Sequence, residues 1–355
     1  MRGAAVFVAS LLVVACSSGD TEVSHWEGTP TDASFPEGGI NLTDAYPTAD
    51  PDPDAYAPSP TFGGDGSTAF TCTGKTLGSG SHDENVTSGG LPRVAHLHVP
   101  TGYNSSVGAM LVVAYHGFFE DGLEQEVQSR MDTSSDAHGY IVAYPDGVAD
   151  SWNAGDCCGD AWTNSVDDVQ FTRDLLATIE ADYCIDPKRV FAAGFSNGGF
   201  MAHRLGCEMS DVFGAIAPVA GVLGIDPSSC TPVRPIPVLD FHGIEDPIVP
   251  YNGGTPIIPI DISGVLDFRS VPVTLAFWVT SNGCLAPPVQ IFQNGDATCT
   301  EWGLCKGGAD VVHCAISDGG HQWPGGVALP IVGVCSTDIS ATDTMYDFFV
   351  AHPLP

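Results

Sequence analysis

The spacing of hydrophobic positions changes several times along this chain. Alternation with a period of two runs through "RVAHLHVP" (93–100), as expected of a strand with one buried face. "AMLVVAY" (109–115), "YIVAYPDG" (140–147), "RVFAAGF" (189–195), "GAIAPVAG" (214–221), "IPVLDFHG" (236–243) and "DVVHCAIS" (310–317) are short continuous apolar runs instead, the pattern of strands covered on both faces. Between them the period lengthens. In "VDDVQFTRDLLATIEADY", Val169, Leu176, Ile179 and Tyr183 share one helical face, and Ser165 with Asp168 three residues on reads as a capping box. "GFMAHRLGCEM" (199–209) predicts a second helix. Doubly covered strands alternating with helices predict an α/β protein. Residues 66–355 would form one domain, a mostly parallel sheet with helices on both faces.

The N-terminal segments read differently. "MRGAAVFVASLLVVAC" has a basic start at Arg2 and an apolar run of signal-peptide length, too short to span a bilayer. It ends in "LVVAC", which resembles a bacterial lipobox. Residues 1–16 are therefore expected to be a lipoprotein-type signal with Cys16 as the lipidation site, and the protein to be exported. Residues 17–65 hold ten Asp and Glu and no Lys or Arg, and include "PTADPDPDAYAPSP". Acid and proline at this density cannot bury a core, which predicts a disordered linker.

Composition narrows the partners. Eleven Lys and Arg against 43 Asp and Glu leave a formal net charge of −32, which repels phosphate backbones and argues against nucleic acid. Membrane association is expected only through a lipid anchor at Cys16, and the protein is expected to be a monomer. In an oxidising compartment the remaining eleven cysteines would mostly form disulfides, with one thiol left over to stay free or to pair between chains. Cys299, Cys305 and Cys314 look like one local cluster. The adjacent Cys157 and Cys158 are expected to serve two separate partners. No CxxC or HExxH spacing points to a metal, and no cofactor is expected.

The candidate chemistry centres on "GFSNGGF" (194–200). Gly194-Phe195-Ser196-Asn197-Gly198 fits G-x-S-x-G between a predicted strand and a predicted helix, the setting of a nucleophile elbow. A serine nucleophile needs a base, and the base an orienting acid. "LDFHGIEDPIVPY" places Asp246 past a strand end, and "SDGGHQWPGG" places His321 in a glycine-rich loop after another strand. The order Ser196, Asp246, His321 is that of an α/β-hydrolase. His242 and His313 read as packing histidines, and Asp240, Glu245 and Asp318 as weaker candidates for the acid. Asn197 N–H would be one oxyanion donor. The loop "YHGFFEDG" would supply the other from Phe118 N–H, with Gly117 second and His116 bonding within the loop.

These stretches, with "SWNAGDCCG", "VDDVQFTRDLL", "AIAPVAG" and "GGHQWPGG", resemble the secreted esterase family that groups polyhydroxybutyrate depolymerases with feruloyl and acetylxylan esterases. The resemblance runs from about residue 70 to the C-terminus. It implies Ser196 as nucleophile, Asp246 as acid and His321 as base, and a substrate pocket beside Trp152, Asn153 and Trp323. It also implies an ester-bearing polymer or a small ester as substrate. Feruloyl or acetyl esters on plant polysaccharide rank first, short-chain polyester second, and a non-catalytic glycan-binding role third. The acidic linker and Cys335 depart from the family pattern.

Overall fold

The computed structural model describes residues 14–15, 70–257, 267–329 and 331–355. Cys16 and the acidic stretch 17–65 lie outside them, as does all of the expected signal segment except Val14–Ala15.

Ten strands form one sheet in the order β2-β3-β5-β4-β6-β7-β8-β11-β10-β9. They are β2 (Gly80–Ser88), β3 (Leu91–Val99), β4 (Ala109–Tyr115), β5 (Ile141–Pro145), β6 (Ile185–Phe195), β7 (Ile216–Val219), β8 (Val238–Gly243), β9 (Val289–Asn294), β10 (Ala297–Trp302) and β11 (Val311–Ile316). The run from β5 through β4, β6, β7 and β8 to β11 is parallel. The two outer strands on each side, β2 and β3, β9 and β10, are antiparallel. A two-residue β1 (Val14–Ala15) pairs with β12 (Val327–Ala328) apart from this sheet. With the seven α-helices of the described residues around it, this sheet has the α/β-hydrolase fold.

The continuous apolar strands are explained by two cores. Along β4, Leu111, Val113 and Tyr115 face one core while Met110, Val112 and Ala114 face the other, so no position of the strand tolerates a polar side chain. β6 divides in the same way, with Val190 and Ala192 on one side and Phe191, Ala193 and Phe195 on the other.

The helices are α1 (Gly122–Ser129), α2 (Met131–His138), α3 (Gly159–Thr163), α4 (Asp168–Asp182), α5 (Asn197–Glu208), α6 (Val271–Ser281) and α7 (Ala341–Ala351). The cap of α4 differs from expectation: Asp167 is the N-cap and accepts from Gln170 N–H, while Ser165 sits at φ 51 in the preceding turn. Two adjacent acids compete with the serine for that role, and a carboxylate at the positive helix end wins. Val169, Leu176 and Ile179 are buried as read, and Tyr183 closes the helix. Among the described residues no helix is long and apolar enough to cross a membrane.

The cysteines pair as 72–184, 207–230, 284–305 and 299–314. Two expectations are overturned. Cys157 and Cys158, joined by a cis peptide bond, are bonded to each other. No thiol is left over either: Cys335 is also disulfide-bonded, and no cysteine among the described residues is free.

Candidate active site

Ser196 stands where β6 becomes α5, at φ 53 and ψ −118, a conformation that a non-glycine residue holds only under constraint. Its N–H is tied to Val219 O at 2.9 Å, and its own carbonyl accepts the Phe200 N–H at 3.0 Å. The glycines around it are a steric necessity. A Cβ on Gly194 would run into the backbone of Gly198, and one on Gly198 into the carbonyl oxygen of Tyr115. The chain gives up side chains at "GFSNGGF" so that strand and helix backbones can pass within contact of each other.

Asp246 lies three residues beyond β8, almost wholly buried. Its Oδ1 accepts the Ile248 and Val249 N–H groups, each at 2.8 Å, which fixes the plane of the carboxyl. Oδ2 faces His321 Nδ1 at 2.7 Å and His242 Nε2 at 3.4 Å. Burial pushes the carboxyl pKa up. The imidazoles of His321 and His242 outweigh it and hold the group well below the usual carboxylate range. The His321 ring packs against that of Phe195, centroids 4.8 Å apart, which brings the imidazole to the residue preceding Ser196. The serine hydroxyl makes no hydrogen bond to the ring here; such bonds commonly tighten only with substrate present.

The sequence reading separated His242 from the site, and its contact with Asp246 was missed. His242 Nε2 donates to Val249 O at 2.8 Å, so it straps the Asp246 loop back to β8. Two more of the residues set aside pair with each other: His313 Nδ1 is 2.6 Å from Asp240 Oδ2, and its Nε2 meets Tyr251 Oη at 3.0 Å. That second buried pair ties the same loop down from further along.

His116 is buried, donates from Nδ1 to Gly117 O and accepts the Gly147 N–H at Nε2; desolvation lowers its pKa to about 4, so the ring is neutral at physiological pH. Gly117 N–H is taken by Glu120 Oε2 at 2.8 Å, which removes it as an oxyanion donor. Phe118 N–H has no partner among the described residues, and Asn197 N–H opens α5 at its positive end.

Trp152 and Trp323 are both 0 % exposed. Trp152 supports the site from behind. Its indole N–H donates to His116 O at 3.0 Å, and its backbone N–H and carbonyl are both held by the Asn197 side chain, at 2.7 and 3.1 Å. Trp323 Nε1 donates to Thr342 Oγ1. Asn153 is half-buried: its N–H goes to Asp168 Oδ2 and its side chain to Val166 O. Asp168 in turn pairs with the buried Arg93 at 3.0 Å.

A cavity of about 280 Å³ lies beside α5, bounded by Phe200, Leu223, Phe268, Arg269 and the carboxylates Asp156 and Asp267. Among the described residues no cluster of His, Cys, Asp or Glu is arranged to hold a metal ion.

Known proteins place this architecture. Residues 167–259 match the phospholipase/carboxylesterase family. Feruloyl esterase B of Piromyces equi is 37% identical over 229 residues, covering 62% of this chain; the chain spans only 41% of that protein's length. Feruloyl esterase C of Emericella nidulans is 30% identical over 267 residues, covering 72% of this chain and 83% of its own. The acetyl xylan esterase structure from Aspergillus awamori shares the fold, with a TM-score of 0.53 at 16% identity over 76% of this chain and 99% of its own. On this sequence similarity, the chain belongs to the α/β-hydrolase esterase family that includes feruloyl esterase C.

Proposed function

We propose that the protein is an exported serine esterase acting on feruloyl- or acetyl-type esters of plant polysaccharide. The observation that carries this reading is the Asp246–His321 hydrogen bond beside the strained Ser196 elbow. The names of the relatives supply the substrate class. His321, its Nδ1–H held by Asp246, presents Nε2 as the base that takes the Ser196 proton during attack on the ester carbonyl. Asp246 keeps the tautomer and stabilises the imidazolium. The Phe118 and Asn197 N–H groups receive the developing oxyanion. His321 then returns the proton to the departing alcohol, and water cleaves the acyl-enzyme by the same route. No metal or organic cofactor takes part.

The test is turnover of methyl ferulate, acetylated xylan, p-nitrophenyl acetate and polyhydroxybutyrate film by the protein and by Ser196→Ala, with fluorophosphonate labelling mapped to its site. Turnover of the first three, label on Ser196, and a loss of at least about 10³-fold in the variant are expected. Film clearing without ferulate or acetate release would overturn the substrate class. Turnover surviving in Ser196→Ala would overturn the mechanism.

A further inference from the structure

The turn that leaves β4 is closed in both directions. Gly117 O accepts the Glu120 N–H at 3.4 Å, and the Glu120 carboxyl accepts the Gly117 N–H at 2.8 Å. Between them Phe119 is held at φ 68, a backbone conformation that a bulky residue adopts only where its surroundings impose it. Its N–H is taken by Asp150 O at 3.0 Å. Of the four amides from Gly117 to Glu120, only that of Phe118, at the corner, has no partner among the described residues. The turn is also held from beneath: His116 Nδ1 donates to Gly117 O at 2.7 Å, and Trp152 Nε1 to His116 O. The Glu120 carboxyl and the Phe195 ring both lie against Gly117, and Phe195 is the residue that touches His321.

We infer that Glu120 is a positioning residue for ester hydrolysis, its carboxyl clasping this turn so that Phe118 N–H is aimed at the substrate carbonyl. This rests on the serine-esterase reading above. A neutral carboxyl accepts the Gly117 N–H without adding charge. An ionised one puts a negative charge one residue from the amide that must stabilise an oxyanion, and the two charges oppose each other. The groups around it hold the proton on. Burial pushes the Glu120 pKa up to about 8, Glu124 and Asp121 add to the rise, and the Gly117 N–H works against it. Across the turn His116 is neutral and Phe195 is apolar, so no cation is there to offset the carboxylate. The sign is therefore fixed: the clasp costs no activity below the Glu120 pKa, and turnover falls as pH rises through it.

The experiment compares kcat/KM on p-nitrophenyl acetate from about pH 6 to 10 for the wild type, Glu120→Gln and Glu120→Ala, with melting temperatures and fluorophosphonate labelling of each. The wild type is expected to lose about tenfold between pH 7 and 9.5 with a midpoint near 8. Glu120→Gln keeps an acceptor for the Gly117 N–H but cannot ionise, so its alkaline fall should disappear. Glu120→Ala should lose kcat by about ten- to a hundredfold with KM changed less than about threefold, since the donor is misplaced while binding remains. An alkaline limb of the same midpoint in the wild type and Glu120→Gln overturns the proposal, whether or not Glu120→Ala folds. Active wild type with coincident profiles rejects only the clasp. An inactive wild type that fails to label at Ser196 rejects the esterase reading and the clasp with it.

Discussion

Asp246→Asn tests the proposed acid most severely, because the surrounding structure dictates how the new amide must sit. Ile248 and Val249 direct two N–H groups at Oδ1, each at 2.8 Å, in a site only 2 % exposed. An asparagine that turned its NH₂ toward them would leave both donors buried and unpaired, at about 1–3 kcal/mol apiece. That bias of about 2–6 kcal/mol keeps the amide oxygen on the backbone donors and forces Nδ2 toward His321, where Asp246 Oδ2 now stands 2.7 Å from Nδ1. Two donors cannot face each other, so the imidazole must move its proton to Nε2 and loses the lone pair that would take the Ser196 proton. The expected loss in kcat is about 10⁴-fold, or about 5 kcal/mol, with KM little changed. The assay is steady-state hydrolysis of p-nitrophenyl acetate at pH 7, with the melting temperature as a check on folding. A folded variant that loses less than about tenfold would refute the assignment of Asp246 and the tautomer argument together.

Two further substitutions probe the scaffold. Gly198→Ala should destabilise by about 3 kcal/mol or more and reduce soluble yield, since the new methyl meets the Tyr115 carbonyl oxygen with nowhere to move; an unchanged melting temperature would contradict the close approach. Asn197→Ala should cost about 1–3 kcal/mol by stranding the buried Trp152 N–H, while the Trp152 carbonyl keeps the Cys158 N–H. A melting temperature within a degree of the wild type would show that the Trp152 N–H finds another partner.

Much of the parallel sheet was legible because each central strand must be apolar on both faces. The run read at 109–115 is the observed β4 residue for residue, and those at 236–243 and 310–317 differ from β8 and β11 by one or two residues at an end. The β9–β10 hairpin was not read, because its positions are half-exposed and carry no comparable pattern. Helices α1 and α2 escaped for a related reason: their buried positions include Gln125, Gln128, Ser134 and Ser135, so no apolar stripe marks them. The elbow glycines were readable because backbone contact excludes every other residue.

The roles of His242 and Glu120 belong to a different category. His242 lies on a strand that reads as plain core, and only the return of the chain at Val249 makes its Nε2 a strap for Asp246. Glu120 reads as one acid among 43, and only the turn geometry sets its carboxyl on the Gly117 amide. Likewise "CC" in the sequence did not reveal that the two cysteines pair with each other. What the amino-acid order decided by itself was periodicity and steric necessity, which depend on neighbours along the chain. What the tertiary structure decided was which donors and acceptors meet across separations of up to a hundred residues and more, because a hydrogen bond is selected by distance and direction in space, and local sequence carries neither.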